Sequence, residues 1–289
     1  MVLKEITDKA NKIKKLEELL KYDLTKEQKY KVQNEINGFW GEKNSAYFID
    51  SCYKDSQNWI ILHDLRFEVD GEVLQIDHLL INRFLEFYVL ETKNFNAESI
   101  NINRYGEFSV TYRKRTFGIE SPIEQNLRHI ELLKKLIEKN NLISKRLFFS
   151  KPKFFSYILI SPKSIIKRSK DFDSSMVIKA DNFKSEMDRK IESIGNLEAL
   201  SSLTRVSSFE SIRKIGSKLL VLDKSSKVDY LKKFDIKFKK LKSYYCYKCK
   251  KTISEKVAKF CWDNKSRFNS KAYCLECQKD FVREQMEMV

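Results

Sequence analysis

Residues 59–93 carry apolar positions in runs too continuous for a half-exposed sheet. Over 79–81 and 87–90 both faces of a strand are apolar, the pattern of strands covered on two sides. Asp70 and Gly71 interrupt the first run and predict a two-residue hairpin turn between strands over 58–69 and 72–81. A three-residue turn through Arg83, Phe84 and Leu85 then sets a second register. It places Ile81 opposite Phe87, Leu79 opposite Val89 and Asp77 opposite Glu91.

Helical periodicity flanks these strands. Residues 1–22 read as a helix with a mixed charged face. Thr25 with Gln28 three positions later forms a capping-box pattern that restarts the helix, which should run to about Cys52. Phe39, Trp40, Ala46 and Phe48 supply its apolar surface. Downstream, 98–102 and 107–112 read as short strands and the basic run 113–118 as an exposed loop. Ser121-Pro122 opens a helix whose Ile123, Leu127, Ile130, Leu133 and Ile137 recur at helical spacing and pack on the sheet. Residues 152–162 form another buried strand and 176–180 a short one. A helix capped by Asp181 and a last helix over 208–222 follow. Strands bracketed by helices predict an α/β fold, a mixed central sheet flanked by helices.

Three charges stand inside the buried runs: Asp77, Glu91 and Lys93. Directly opposed strand residues have Cβ atoms about 4.5–5.5 Å apart, so two carboxylates there repel each other unless a cation lies between them. Lys93, two residues beyond Glu91, leaves the same sheet face. One lysine or a divalent metal satisfies the pattern, and a purely structural ion-pair cluster is the competing reading.

Composition narrows the partner. The net charge of +16 over 289 residues favours a polyanion, nucleic acid before membrane, and 42% hydrophobic residues permit a true core. No apolar run approaches the ~20 residues of a membrane span, and the N-terminus has no signal-like apolar region, so a cytoplasmic location is expected. Of six cysteines, five fall between Cys246 and Cys277, a clustering that in a reducing compartment favours metal over disulfides. The isolated Cys52 reads as a small buried hydrophobe.

Residues about 36–140 resemble the NERD (nuclease-related) domain, a branch of the PD-(D/E)XK, restriction-endonuclease-like superfamily. The resemblance rests on Gly41-Glu42, Ile76-Asp77-His78 before an apolar run, Glu91-Thr92-Lys93-Asn94, and Pro122-Ile123-Glu124-Gln125. It implies a restriction-endonuclease-like sheet. Asp77 and Glu91 are then ligands of Mg²⁺ or Mn²⁺, Lys93 the residue that positions or activates water, Glu42 the helical acid completing the site, and Gln125 a further member. The physics concurs, because Mg²⁺ prefers oxygen ligands at an open groove and phosphodiester hydrolysis profits from a Lewis acid. His78 points to the sheet face opposite Asp77, and His63 and His129 stand alone, so all three read as structural; Gln125 and His129 share a helix face away from the apolar stripe, which fits groove lining or simple solvation.

In the tail, Cys246-x-x-Cys249 and Cys274-x-x-Cys277 form two knuckles that can close a tetrahedral Zn²⁺ site. A short hairpin over 268–273 and a helix over 275–285 give the tail a resemblance to a zinc-ribbon or treble-clef module. Cys261 is expected to pack rather than ligate. The predicted organisation is a helical extension over 1–35, a nuclease-like domain over 36–222, a basic linker over 223–242 and a four-cysteine zinc module over 243–289. Arg113, Lys114, Arg115, Lys239, Lys240 and Lys242 are candidate nucleic-acid contacts. Two functions fit: a divalent-metal-dependent nuclease acting most readily on DNA, or a catalytically silent nucleic-acid-binding or protein-interaction subunit on the same fold.

Overall fold

In the computed structural model, which describes residues 1–6, 8–95, 97–143, 152–192, 206–224, 228–236 and 244–279, Asp70 and Gly71 adopt left-handed φ angles of 51° and 84°. They join β2 (Trp59–Val69) to β3 (Glu72–Asn82) in a hairpin paired from Val69–Glu72 to Trp59–Asn82. β4 (Glu86–Lys93) returns along β3 with Leu79 opposite Val89 and Ile81 opposite Phe87. This is the register that the turn residues and apolar runs predict.

After β4 the chain forms a small sheet from β5 (Ser99–Ile102), β6 (Phe108–Tyr112) and β7 (Arg115–Ile119) before α3 (Pro122–Lys139). It re-enters the main sheet at β8 (Lys153–Ile160), parallel to β4. β9 (Ile165–Arg168) joins β5 in parallel, and β10 (Val177–Lys179) joins β8 in parallel. With β1 (Val2–Lys4) parallel to β2 at the far edge, the main sheet is six-stranded and mixed, in the order β1-β2-β3-β4-β8-β10, and the second is β7-β6-β5-β9.

Helices cover both faces of the main sheet. On one, Leu62, Leu79, Ile81 and Val89 pack against Ile130, Leu133 and Ile137 of α3 and against Ile212 and Leu219 of α5 (Phe209–Leu222). On the other, Leu80, Tyr88, Leu90 and Leu159 meet Ile49 of α2 (Lys26–Tyr53) and Phe183 and Met187 of α4 (Phe183–Glu192). The α2 start has the capping box predicted for Thr25 and Gln28. α1 (Asp8–Leu19) contributes a buried stripe of Lys9, Ile13, Leu16 and Leu19.

Four local expectations are corrected. Residues 2–4 are strand, not helix, because the Met1 amino group donates to the Trp59 carbonyl at 2.8 Å and Leu3 packs into the core. The run 113–118 is not a loop: Arg113 and Lys114, with φ of 43° and 67°, form a tight turn and the rest is the exposed edge strand β7. Leu127 is exposed while Asn126 is buried, so the inner face of α3 is rotated from the predicted stripe. Its amide explains the burial, donating to the Val89 carbonyl at 2.8 Å and to Ser156 Oγ at 2.9 Å. Asp181 lies within a 3₁₀ turn over Ala180–Asn182 and does not cap α4.

Residues 1–234 form one compact unit, closed by α6 (Tyr230–Lys233), and 235–289 a second. In the second, β11 (Tyr244–Tyr245) and β12 (Thr252–Ile253) form a hairpin around the first knuckle, followed by α7 (Glu255–Asp263) and α8 (Lys265–Phe268). The hairpin expected over 268–273 is absent, because Phe268 ends α8 and Asn269 and Ser270 turn left-handed. Ala258, Cys261, Phe268 and Tyr273 make its core. Residues 275–279 are helical, and the predicted continuation to 285 lies outside the described residues. Among the described residues no helix is long and apolar enough to cross a membrane.

Candidate active site

The β3–β4 ladder ends at His78 opposite Leu90, and Asp77 and Glu91 stand one step beyond it. Both are nearly buried, at 7% and 5% exposure. Asp77 Oδ2 accepts the Thr92 backbone N–H at 2.8 Å. Glu91 Oε1 accepts from Lys93 Nζ at 2.7 Å, and the same ammonium donates to Gln125 Oε1 of α3 at 2.9 Å. One turn along α3, His129 Nδ1 lies 3.7 Å from Glu91 Oε2. Its spacing of four from Gln125 puts both on one helix face, and that face turns toward β4.

Glu42 arrives from α2. Gly41 permits the approach: a Cβ there would lie 2.4 Å from Asn94 Cβ, and Asn94 in turn donates to the Asn37 carbonyl at 2.7 Å. Glu42 Oε2 is 2.6 Å from Lys9 Nζ, which also lies 3.0 Å from Asp64 Oδ1. Asp64 stands across from Asp77, between the pairs His63–His78 and Leu65–Ile76, with a left-handed φ of 51°. Sequence reasoning missed Lys9 and Asp64. Asp64 carried the signal used for Asp77, a lone acid in an apolar run, whereas Lys9 is one lysine in a lysine-rich helix.

Burial governs the electrostatics. It pushes Asp77 up to about 7, reinforced by the Glu91 charge and opposed by the Thr92 N–H and by Lys9 and Lys93. It pushes Glu42 up to about 8, with Asp77 adding and Lys9 opposing. Glu91 is raised for the same reason, against the pull of Lys93. Lys9 is raised as well, since its two carboxylates outweigh its burial, so it stays charged. Asp64 is lowered, because Lys9, Lys12 and Lys4 outweigh its burial. His129 is brought down to about 4 by burial and by Lys93 and Arg128, so it is neutral near pH 7. The site therefore holds more carboxylate than its lysines neutralise, which is the donor chemistry that suits Mg²⁺ or Mn²⁺.

Behind Asp77 runs a buried polar chain. Asp50 Oδ1 is 3.0 Å from His63 Nε2, His63 Nδ1 is 2.7 Å from His78 Nδ1, and His78 Nε2 is 3.1 Å from Thr92 Oγ1. A carboxylate only accepts, so His63 Nε2 donates to Asp50. The His63 Nδ1–His78 Nδ1 and His78 Nε2–Thr92 Oγ1 contacts continue the chain, each needing one of its two partners to donate. His78 is held well below the ordinary histidine range by burial and by the neighbouring His63. Thr92 thus holds Asp77 through its backbone and His78 through its side chain.

Beside Thr92 opens a cleft of about 330 Å³, lined by Trp40, Gly41, Asn44, Thr92, Asn94 and Lys163 among others. Arg113, Lys114 and Arg115 are exposed at the β6–β7 turn. Lys239, Lys240 and Lys242 lie outside the described residues.

In the second unit, the sulfurs of Cys246, Cys249, Cys274 and Cys277 all lie within 4.8 Å of one another, a set that could hold a metal ion such as zinc. Burial raises the Cys246 thiol, but the backbone N–H groups of Cys249, Cys274 and Lys248 outweigh it and bring the group to about 6. Cys277 is pushed up to about 12 by burial and by hydrogen bonds among the crowded thiols. Cys261 stands outside the set, its sulfur accepting from Tyr273 N at 3.4 Å and Gln278 Nε2 at 3.2 Å.

Residues 37–161 match the family NERD, nuclease-related domain. No curated protein and no solved structure matches the chain.

Proposed function

We propose that the nuclease-related domain on residues 37–161 is a divalent-metal-dependent nuclease of the PD-(D/E)XK type, hydrolysing phosphodiester bonds, most readily in DNA. One observation carries the reading: Asp77, Glu91 and Lys93 converge just past the last pair of the β3–β4 ladder, with two buried acids sharing too little positive charge. A structural ion-pair cluster would pair its charges fully. Here burial keeps Asp77 and Glu42 near their protonated forms, a costly arrangement of the kind found at functional sites.

Asp77 and Glu91 would hold Mg²⁺ or Mn²⁺, with Glu42 beside them. Bound there, the ion supplies Lewis-acid polarisation of a phosphoryl oxygen and lowers the pKa of water. Lys93, fixed between Glu91 and Gln125, directs its ammonium at the attacking water and at charge developing on the phosphate. Gln125 accepts from the Lys93 ammonium, and His129 packs its neutral ring against Glu91. The exposed Arg113–Lys114–Arg115 turn and the lysines over 237–242 supply sequence-independent attraction to phosphates, which weakens with salt. The four-cysteine cluster binds structural Zn²⁺ and helps hold nucleic acid.

The test is incubation of the purified protein with supercoiled, linear and single-stranded DNA and with RNA, in Mg²⁺, Mn²⁺ or EDTA. Cleavage that needs the metal and is lost in Asp77→Asn is expected. No cleavage of any substrate would favour the silent binding subunit.

A further inference from the structure

Lys9 lies in α1, outside the residues matched by the nuclease-related family. It occupies a place in the buried stripe that Ile13, Leu16 and Leu19 continue, where packing alone calls for an apolar residue. Yet it is a lysine only 1% exposed, while Lys14 and Lys15 of the same helix face solvent. An ammonium taken so fully from water persists only when carboxylates hold it. Those carboxylates come from two other elements: Glu42 of α2 at 2.6 Å and Asp64 of β2 at 3.0 Å. The Phe39 ring, 4.6 Å from Nζ, shields the contact.

Asp64 stands across the sheet from Asp77, and Glu42 is close enough for its charge and that of Asp77 to act on each other. The Lys9 ammonium therefore occupies a cation position of its own between Glu42 and Asp64, beside the Asp77–Glu91 pair, with the Lys12 ammonium also 3.3 Å from Asp64 Oδ2. Two-ion hydrolases bridge their ions, about 3.5–4 Å apart, with shared carboxylates of this kind. We infer that Lys9 is a built-in cation filling the second position, so that the centre takes a single divalent ion and α1 is part of it. Lys9 is a positioning residue: it holds Glu42 and Asp64 and leaves Asp77 to the ion held with Glu91.

This inference rests on the proposed metal site, and the experiment separates the two. Mn²⁺ is titrated into the zinc-loaded full-length protein, and bound ions are counted by electron paramagnetic resonance, with no substrate present. One ion per chain is expected for the parent and for Lys9→Arg. Lys9→Met, which keeps length and suits the apolar stripe, should bind two, the second within about tenfold of the first in affinity. Lys9→Met/Glu42→Gln should return to one. No Mn²⁺ on the parent would remove the metal site itself. Two ions on the parent, or one on a folded Lys9→Met, would overturn the role of Lys9 and leave the nuclease reading intact. Should Lys9→Met not fold, the parent and Lys9→Arg counts still decide, because two ions on either overturns the inference.

Discussion

Asp77 and Glu42 make the metal-free protein sensitive to pH in a definite direction. Folded, they keep their protons to about pH 7 and about pH 8, whereas unfolded they release them near ~4. Between those limits the unfolded chain binds fewer protons, so stability falls as pH rises from about 4 to about 8 and then levels. Each such group contributes a slope of at most about 1.4 kcal/mol per pH unit. Asp77→Asn should flatten the fall and be at least as stable as the parent at pH 8, while Mg²⁺ should stabilise the parent and not the variant. Denaturant titrations at several pH values check this. Lys93→Ala should still bind Mn²⁺ yet lose cleavage by about 10²–10⁴-fold, the usual worth of a positioned acid–base group. An equal loss of Mn²⁺ binding would make Lys93 a structural partner of Glu91 only.

The histidines also act at this scale. His78→Phe leaves His63 Nδ1 buried without its partner, so a loss of about 1–3 kcal/mol for an unsatisfied group is expected. The combined replacement of His63 and His78 by leucine should cost less than the two single changes summed, since both belong to one chain. Strict additivity in a double-mutant cycle would show that the chain does not act as a unit.

At the scale of elements, much of the main sheet was legible because local rules determined it. Asp70-Gly71 fixed one turn, the length of the 83–85 turn fixed the next register, and double-sided apolar runs marked β3 and β4 as central. The misses share another cause. β1 and β9 are short strands whose partners, β2 and β5, lie far away in sequence, so no local pattern announces them. His129 and Lys9 gain meaning only when α3 and α1 dock, and Asn126 is buried because β4 and β8 offer it acceptors. Docking of α2 depends on Gly41 in the same way. Gly41→Ala would press a methyl against Asn94 Cβ, which sits too near the backbone to swing aside. Displacement of α2 should cost about 1–3 kcal/mol, as overpacking does, and lower cleavage by withdrawing Glu42. Unchanged stability and activity would mean that α2 tolerates the shift.

For the whole molecule the question is what holds the second unit together. Over the described residues 244–279 its buried apolar side chains are few, with Ala258, Phe268, Ala272 and Tyr273 as the main members besides cysteines. A core this small does not sustain a fold alone, and a structural metal supplies the difference. The thiols carry the same message, since burial and the crowding of the sulfurs raise Cys277, and a cation among them would favour its ionised form. Zinc binding should accordingly release protons and weaken as pH falls. One zinc per chain is expected by elemental analysis, lost in Cys246→Ser, Cys249→Ser, Cys274→Ser or Cys277→Ser. Cys261→Ser should retain it, because that sulfur is engaged by Tyr273 and Gln278. Chelation should melt the second unit while residues 1–234, whose sheet is filled by its own helices, keep a cooperative unfolding transition. Loss of zinc in Cys261→Ser with retention in Cys274→Ser would overturn the ligand set, and a zinc-free second unit that stays folded would show that its core is sufficient after all.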